Sequence, residues 1–267
     1  MNARKRSQRE ADLAAHYTLI LGTRNWSSWS LRPYLAMCAT AAPFEEIVIA
    51  LRRPETRGEI LKHSPSGHVP VLKIEEAGET TTVFDSLAIC ETLAERHPEA
   101  GLLPDDWRAR ALARSYAAEM HSGFAPLRSA LPMDIARTLP APELSDDAKA
   151  DIARVLEAWT AALARHGKDG GFLFGRFSIA DCMYAPVVTR LRTYAVAVPG
   201  IVDAYCERIF ALPALADGSD YEMAVGLLVG KAEPRLASPE QFLGRNVIRI
   251  GGVDARAGRY TFAAFAR

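Results

Sequence analysis

The chain has 267 residues, enough for one large domain or two small ones around a sizeable core. Apolar residues make up 49% of it and charged residues 24%, and 32 basic side chains balance 32 acidic ones, so bulk charge draws it neither to nucleic acid nor to an anionic membrane. No apolar run is long enough for a membrane-spanning helix. The opening stretch "MNARKRSQREADLAAH" (1–16) is charged and lacks an apolar segment, which predicts a disordered tail and not a secretory signal.

In chain order, "YTLILGT" (17–23) is a short apolar run rich in β-formers and reads as a buried strand. "SLRPYLAMCATAA" (30–42) follows with apolar residues at helical spacing, and Ser30 stands where an N-cap would. "FEEIVIAL" (44–51) is a second strand and "ETRGEILKHSPSGH" (55–68) holds a short helix closed by Ser, Pro and Gly. "VPVLKIEE" (69–76) is a strand opened by a proline, a residue suited to an edge or a strand start. "ETTTVFDS" (79–86) is a fourth strand, and "SLAICETLAERH" (86–97) is an amphipathic helix ended by Pro98. The order β-α-β-α-β-β-α within about 80 residues predicts one α/β unit over 17–97.

The polar, turn-rich "PEAGLLPDDW" (98–107) reads as a linker, and only helices follow over 108–216. "RARALARSYAAEMHSGFAPLRSAL" is one long helix expected to kink at Gly123 and Pro126. "SDDAKADIARVLEAWTAALARH" opens with a Ser cap and an acidic first turn. "FSIADCMYAPVVTRLRTY" opens with Ser178-x-x-Asp181, a capping box behind Phe177, and "IVDAYCERIFALPAL" closes the set. Residues 217–267 stay unassigned, although "NVIRI" and "RYTFAAF" around "GGVDARAG" have the pattern of a hairpin. Cys38, Cys90, Cys182 and Cys206 lie far apart on helical stretches without CxxC spacing; they read as buried thiols of a reducing, cytoplasmic setting, with neither a disulfide framework nor a metal site.

Five segments carry a resemblance: "SSWSLRPYL" at the first strand–helix corner, "SPSGHVPVL" before the third strand, "FDSLAICETLAERHP" from the fourth strand into its helix, "AEMHSGFAPLR", and "FSIADCMYAPVVTRLRTY". In this order and spacing the chain resembles the cytosolic glutathione S-transferases across roughly 17–216, with a corner similar to the serine-type theta and zeta classes. The resemblance implies a thioredoxin-like α/β amino-terminal domain and an all-α carboxy-terminal helical domain. It further implies a homodimer, glutathione as co-substrate, no metal, and a second, small electrophilic substrate, as in detoxification.

The residues can be read against that chemistry. A cysteine thiol is only a few per cent ionised at neutral pH, and a hydroxyl donating to the sulfur favours the thiolate. Ser27 is the first choice for that donor, three residues before Ser30; Ser28 is the second, reached by a one-residue gap; on the residues alone both are also helix caps. Val69-Pro70 resembles the family's cis-proline site, which implies main-chain pairing of Val69 with the peptide ligand, the alternative being a trans proline that starts a strand; His68 stands either beside the ligand's glycyl end or as an exposed loop residue. Asp85 and Ser86 are a cap pair by sequence, and by resemblance bind the ligand's α-amino and α-carboxylate groups. Trp29 and His121 are candidates for the electrophile pocket, with helix packing as the alternative for each, and Arg32 faces either an acidic group or water. Ser178 and Asp181 are assigned to folding.

Three rivals stand beside a glutathione transferase. A cysteine-based redox enzyme of the same fold is disfavoured, because the corner offers Ser and Trp while Cys38 lies inside the helix. A maleylacetoacetate isomerase-like enzyme is weakened by the missing cysteine in the serine cluster and by Thr193 where an arginine is expected, with Arg190 and Arg192 displaced nearby. A non-catalytic glutathione-binding or interaction protein on the same fold is the third.

Overall fold

The first strand is apolar on both faces, as a strand covered on both sides must be. In β1 (His16–Gly22), Leu19 and Leu21 face the main core while Ile20 faces a smaller cluster with Ile49, Ile60 and Val71 on the other side. The structure is a computed structural model and describes residues 15–215 and 249–250. The chain continues through α1 (Ser28–Ala39), β2 (Phe44–Ile49), α2 (Thr56–Leu61), β3 (Val71–Glu76), β4 (Glu79–Phe84) and α3 (Ser86–Arg96). β1 pairs in parallel with β2, from Tyr17–Phe44 to Gly22–Ile49, and antiparallel with β3, from His16–Glu75 to Ile20–Val71. β3 and β4 form a hairpin whose two-residue turn, Ala77-Gly78, has φ of 54° and 84°, the positive values a right-twisted hairpin favours. This mixed sheet with helices on both faces is the α/β unit that the element order predicts, and it has the thioredoxin-like form that the resemblance implies.

Of the two places that suit a strand proline, Pro70 takes the strand start. β3 lies inside the sheet, between β4 and β1, and not at an edge. Pro70 is tolerated because it stands one residue before the first ladder position, Val71, so no strand hydrogen bond is lost. Of the hairpin expected in 246–265, only Arg249–Ile250 (β5) are described; they pair in parallel with Ile47 and Val48 of β2, and the second arm lies outside the described residues.

The rest of the described chain is helical: α4 (Trp107–Ser122), α5 (Ala125–Ala130), α6 (Asp146–His166), α7 (Ile179–Thr193) and α8 (Gly200–Phe210). The long helix expected over 108–131 breaks completely instead of kinking. Gly123 ends α4 with its N–H on the Glu119 carbonyl, where a Cβ would come within 2.8 Å of that same oxygen. Phe124 then takes a left-handed conformation, φ 59°, before α5 starts with Pro126 in its first turn. Ser145 caps α6 by accepting from the Ala148 N–H at 3.2 Å, as its acidic first turn foretells.

α7 is buried on nearly every side, and over 179–188 its sequence is apolar apart from Asp181. It packs on both α1 and α4 and so joins the two halves. Its amino end carries the predicted capping box: Asp181 accepts from the Ser178 N–H and hydroxyl, both at 2.8 Å, and from the Leu173 N–H at 3.1 Å. Trp159 stands edge-on to Tyr184 and Tyr205 beneath it, with ring centroids 5.4 and 5.2 Å away. All four cysteines are buried free thiols, and burial raises the pKa of Cys90, Cys182 and Cys206, the last to about 12. None has the electropositive, accessible setting of a thiolate nucleophile. No described helix is long and apolar enough to cross a membrane.

Candidate active site

The corner between β1 and α1 is fixed by its serines. Ser27, at φ −92° and ψ 88°, is the N-cap; its Oγ accepts from the Ser30 N–H at 3.3 Å and donates to Ser30 Oγ at 2.8 Å. Ser30 is therefore not the cap but a first-turn residue. It is fully buried because its Oγ also accepts from the Gly22 N–H at 2.9 Å, tying the strand end to the helix start. Ser28 is buried too, and among the described residues its hydroxyl has no protein partner. The helical half braces the loop before them: Asn25 donates to Asp134 at 3.0 Å and accepts from the Ala136 N–H at 2.9 Å. Both serine hydroxyls thus sit at the positive end of a three-turn helix.

A second corner lies between β4 and α3. Asp85 has φ 82° and ψ 135°, a conformation costly for any residue with a Cβ and one that concentrates at functional sites. Its Oδ1 caps α3, accepting from the Leu87 N–H at 2.9 Å and the Ala88 N–H at 3.2 Å; its Oδ2 lies 3.3 Å from His121 Nε2 on α4. Next to it the buried hydroxyl of Ser86 has no partner among the described residues. A native interior rarely leaves such a group alone.

These corners face a cavity of about 420 Å³. Trp29, His68, Val69, Asp85, Ser86 and His121 all line it, so six of the eight residues singled out by sequence meet at one wall. Ser27 and Ser28 are not in the lining; they stand directly before Trp29 at the helix end. Ser66, Pro70 and Phe84 also line the cavity and were not singled out as ligand contacts, although each sits inside a motif already noted. The Val69-Pro70 peptide is cis. The exposed His68 turns its Nδ1 to the Ser66 carbonyl at 2.8 Å.

Trp29 is the centre of a cationic cluster that the sequence did not reveal. Its ring has the guanidinium carbons of Arg32 and Arg128 at 4.3 and 4.8 Å from its centroid, and the His121 ring edge-on at 5.4 Å. Arg32 faces neither an acid nor water. It is fully buried and donates from Nε to the Met183 carbonyl of α7 at 3.0 Å. Burial, then Arg190 and Arg128, push its pKa down to about 9, so it stays a cation at neutral pH. Among the described residues no three His, Cys, Asp or Glu side chains converge as a metal site.

Comparison with known proteins gives the family. Residues 26–96 match the family model of the glutathione S-transferase N-terminal domain, and 105–211 that of its C-terminal domain. Glutathione S-transferase 1 of Dianthus caryophyllus is 32% identical over 165 residues, covering 61% of this chain and 72% of that protein. A probable maleylacetoacetate isomerase of Caenorhabditis elegans is 28% identical over 62% of this chain and 74% of its own length. A Burkholderia glutathione transferase homolog, solved with bound glutathione, superposes with a TM-score of 0.58 at 26% identity, covering 77% of this chain and 97% of that one. With both halves matched in order and the thioredoxin-like sheet and helical half in place, the chain belongs to the glutathione S-transferase family.

Proposed function

We propose that the protein binds glutathione in the cavity between the two corners and activates its thiol, at the amino end of α1, for attack on a small electrophile. One observation carries this reading: the cavity brings Val69, Asp85 and the unpartnered hydroxyl of Ser86 to one wall beside that helix end. Glutathione has an α-ammonium and an α-carboxylate at one end and a thiol in the middle, and this wall complements them in order. Asp85 Oδ2 takes the ammonium. Ser86 Oγ, which has no partner among the described residues, takes the carboxylate together with the Ser86 N–H at the start of α3; the Leu87 and Ala88 amides are already used by Asp85. The Val69 main chain pairs with the cysteinyl backbone, and His68 stands toward the glycyl end. A serine of the corner donates to the sulfur. Trp29 and His121 form the wall shared with the electrophile. Conjugation, or glutathione-dependent reduction or isomerisation, all use the same thiolate.

The isomerase named for the nematode relative is the runner-up. Trp29 occupies the place of the cysteine expected in such a corner, and Thr193 is buried with its hydroxyl on the Asp134 carbonyl, which leaves it no role as an arginine substitute. Four free buried thiols suit a reducing compartment, and we place the protein, as a detoxifying enzyme, in the cytoplasm.

Asp85→Asn tests the binding half. Asn keeps the cap acceptor but loses the charge that meets the ammonium. The carboxylate is partly open to solvent, so the expected loss is about 1–3 kcal/mol, a rise of roughly 5- to 150-fold in the glutathione dissociation constant by calorimetry. Unchanged affinity would reduce Asp85 to a cap. Retention on immobilised glutathione without turnover of chlorodinitrobenzene or any other electrophile would favour a scaffold over an enzyme.

We also propose a homodimer in which the amino half of one subunit meets the helical half of the other. Exposed apolar side chains stand on both, Leu61 and Phe84 on the first and Trp107 and Leu112 on α4. Light scattering should give twice the chain mass, and a monomer at micromolar concentration ends the proposal.

A further inference from the structure

We infer that His121 is a positioning residue for the α-ammonium site: it aims the free oxygen of Asp85 at the ligand. The inference rests on the reading of Asp85 as the ammonium acceptor. Asp85 Oδ1 is saturated by the Leu87 and Ala88 N–H groups, so only Oδ2 is left for a ligand. That oxygen lies at the end of a side chain whose backbone is held at φ 82°, and the one side chain paired with it among the described residues is His121, at 3.3 Å. The contact spans the molecule's two halves, from the β4–α3 corner to the last turn of α4.

His121 is itself held. Its ring meets Trp29 edge-on at 5.4 Å, and Trp29 is fixed by the guanidinium groups of Arg32 and Arg128. A carboxylate oxygen has two acceptor directions. His121 Nε2 stands 3.3 Å away on one side, which leaves the other acceptor direction for a ligand in the cavity that both residues line. The imidazole then has a consequence that simple packing would not have. It should raise affinity only for ligands that carry the α-ammonium, because it acts through the oxygen that receives that group. Nδ1, buried and without a partner among the described residues, takes no part in the contact.

The test compares glutathione with its analogue in which the γ-glutamyl group is replaced by glutaryl, so that only the α-amino and its carboxylate neighbour's chirality are lost. Dissociation constants are measured by calorimetry on the full chain for the unaltered protein, His121→Phe and His121→Gln. Phe keeps the aromatic edge against Trp29 without the donor; Gln restores an N–H donor. The unaltered protein should prefer glutathione at least tenfold. His121→Phe should shrink that preference to threefold or less, and His121→Gln should recover most of it. A preference undiminished in His121→Phe overturns the inference while leaving the ammonium site standing. If the unaltered protein does not discriminate at all, the Asp85 reading falls and this inference with it. Should His121→Phe not fold, as judged by thermal melting, His121→Leu and His121→Gln carry the same comparison.

Discussion

Asp181→Ala should cost the folded chain about 3–5 kcal/mol, because three donors lose one acceptor inside the core. The carboxylate is fully buried and receives the Ser178 N–H, the Ser178 hydroxyl and the Leu173 N–H. Each stranded buried donor costs about 1–3 kcal/mol, less whatever a trapped water recovers. Ser178→Ala removes one of the three and should cost only about 1 kcal/mol. Burial pushes the Asp181 pKa up to about 6, ahead of the opposing hydrogen bonds from Leu173 and Ser178. A raised folded-state value means that the folded chain binds this proton more tightly than the unfolded one. Between the ordinary carboxyl range near 4 and about 6, stability at this site therefore falls as pH rises. Urea unfolding across pH 4–7 reads both effects, and the slope assigned to Asp181 should vanish in Asp181→Ala. A variant within 1 kcal/mol of the unaltered protein would show that the capping box is dispensable to the fold.

That box was legible in the sequence because capping is local: Ser178 and Asp181 are three residues apart and need nothing from the rest of the chain. The strands were legible for the same reason, "YTLILGT" as a short apolar run rich in β-formers and "VPVLKIEE" as a run opened by a proline. Local chemistry failed where several residues of one type competed. Ser27, Ser28 and Ser30 can each cap a helix, and the choice fell to Ser27 because Ser30 is taken by the Gly22 N–H across the corner. Long-range placements were not legible at all. Arg32 lies fully buried against a helix 151 positions away, where charged side chains are seldom found, and nothing in "SLRPYL" announces it. His121 was visible as a residue near the cleft, but its partner Asp85 lies 36 positions earlier on another element, and only the packing of α4 over the β4–α3 corner joins them.

Ser27→Ala should leave glutathione bound and remove about 2–4 kcal/mol of transition-state stabilisation, a loss of roughly 30- to 1,000-fold in turnover. In the structure Ser27 Oγ donates to Ser30 Oγ at 2.8 Å, so its proton must be redirected before it can serve a thiolate. The pair is two hydroxyls, each able to donate or accept, and the hydrogens rotate freely. When an anionic sulfur arrives, Ser30 becomes the donor to Ser27 and Ser27 the donor to sulfur. A hydroxyl that accepts a hydrogen bond donates a stronger one, and the helix end adds to the same sign of potential. Ser30 remains anchored throughout by the Gly22 N–H. Ser30→Ala should therefore also lower turnover, by about tenfold, besides loosening the corner. Ultraviolet titration of the bound thiol gives the direct readout: Ser27→Ala should move thiolate formation to higher pH. Full activity in Ser27→Ala together with an inactive Ser28→Ala would transfer the role to Ser28, whose hydroxyl has no partner among the described residues. Full activity in both would remove the serine from the mechanism and leave the helix end, with the cations around Trp29, as the source of thiolate stabilisation.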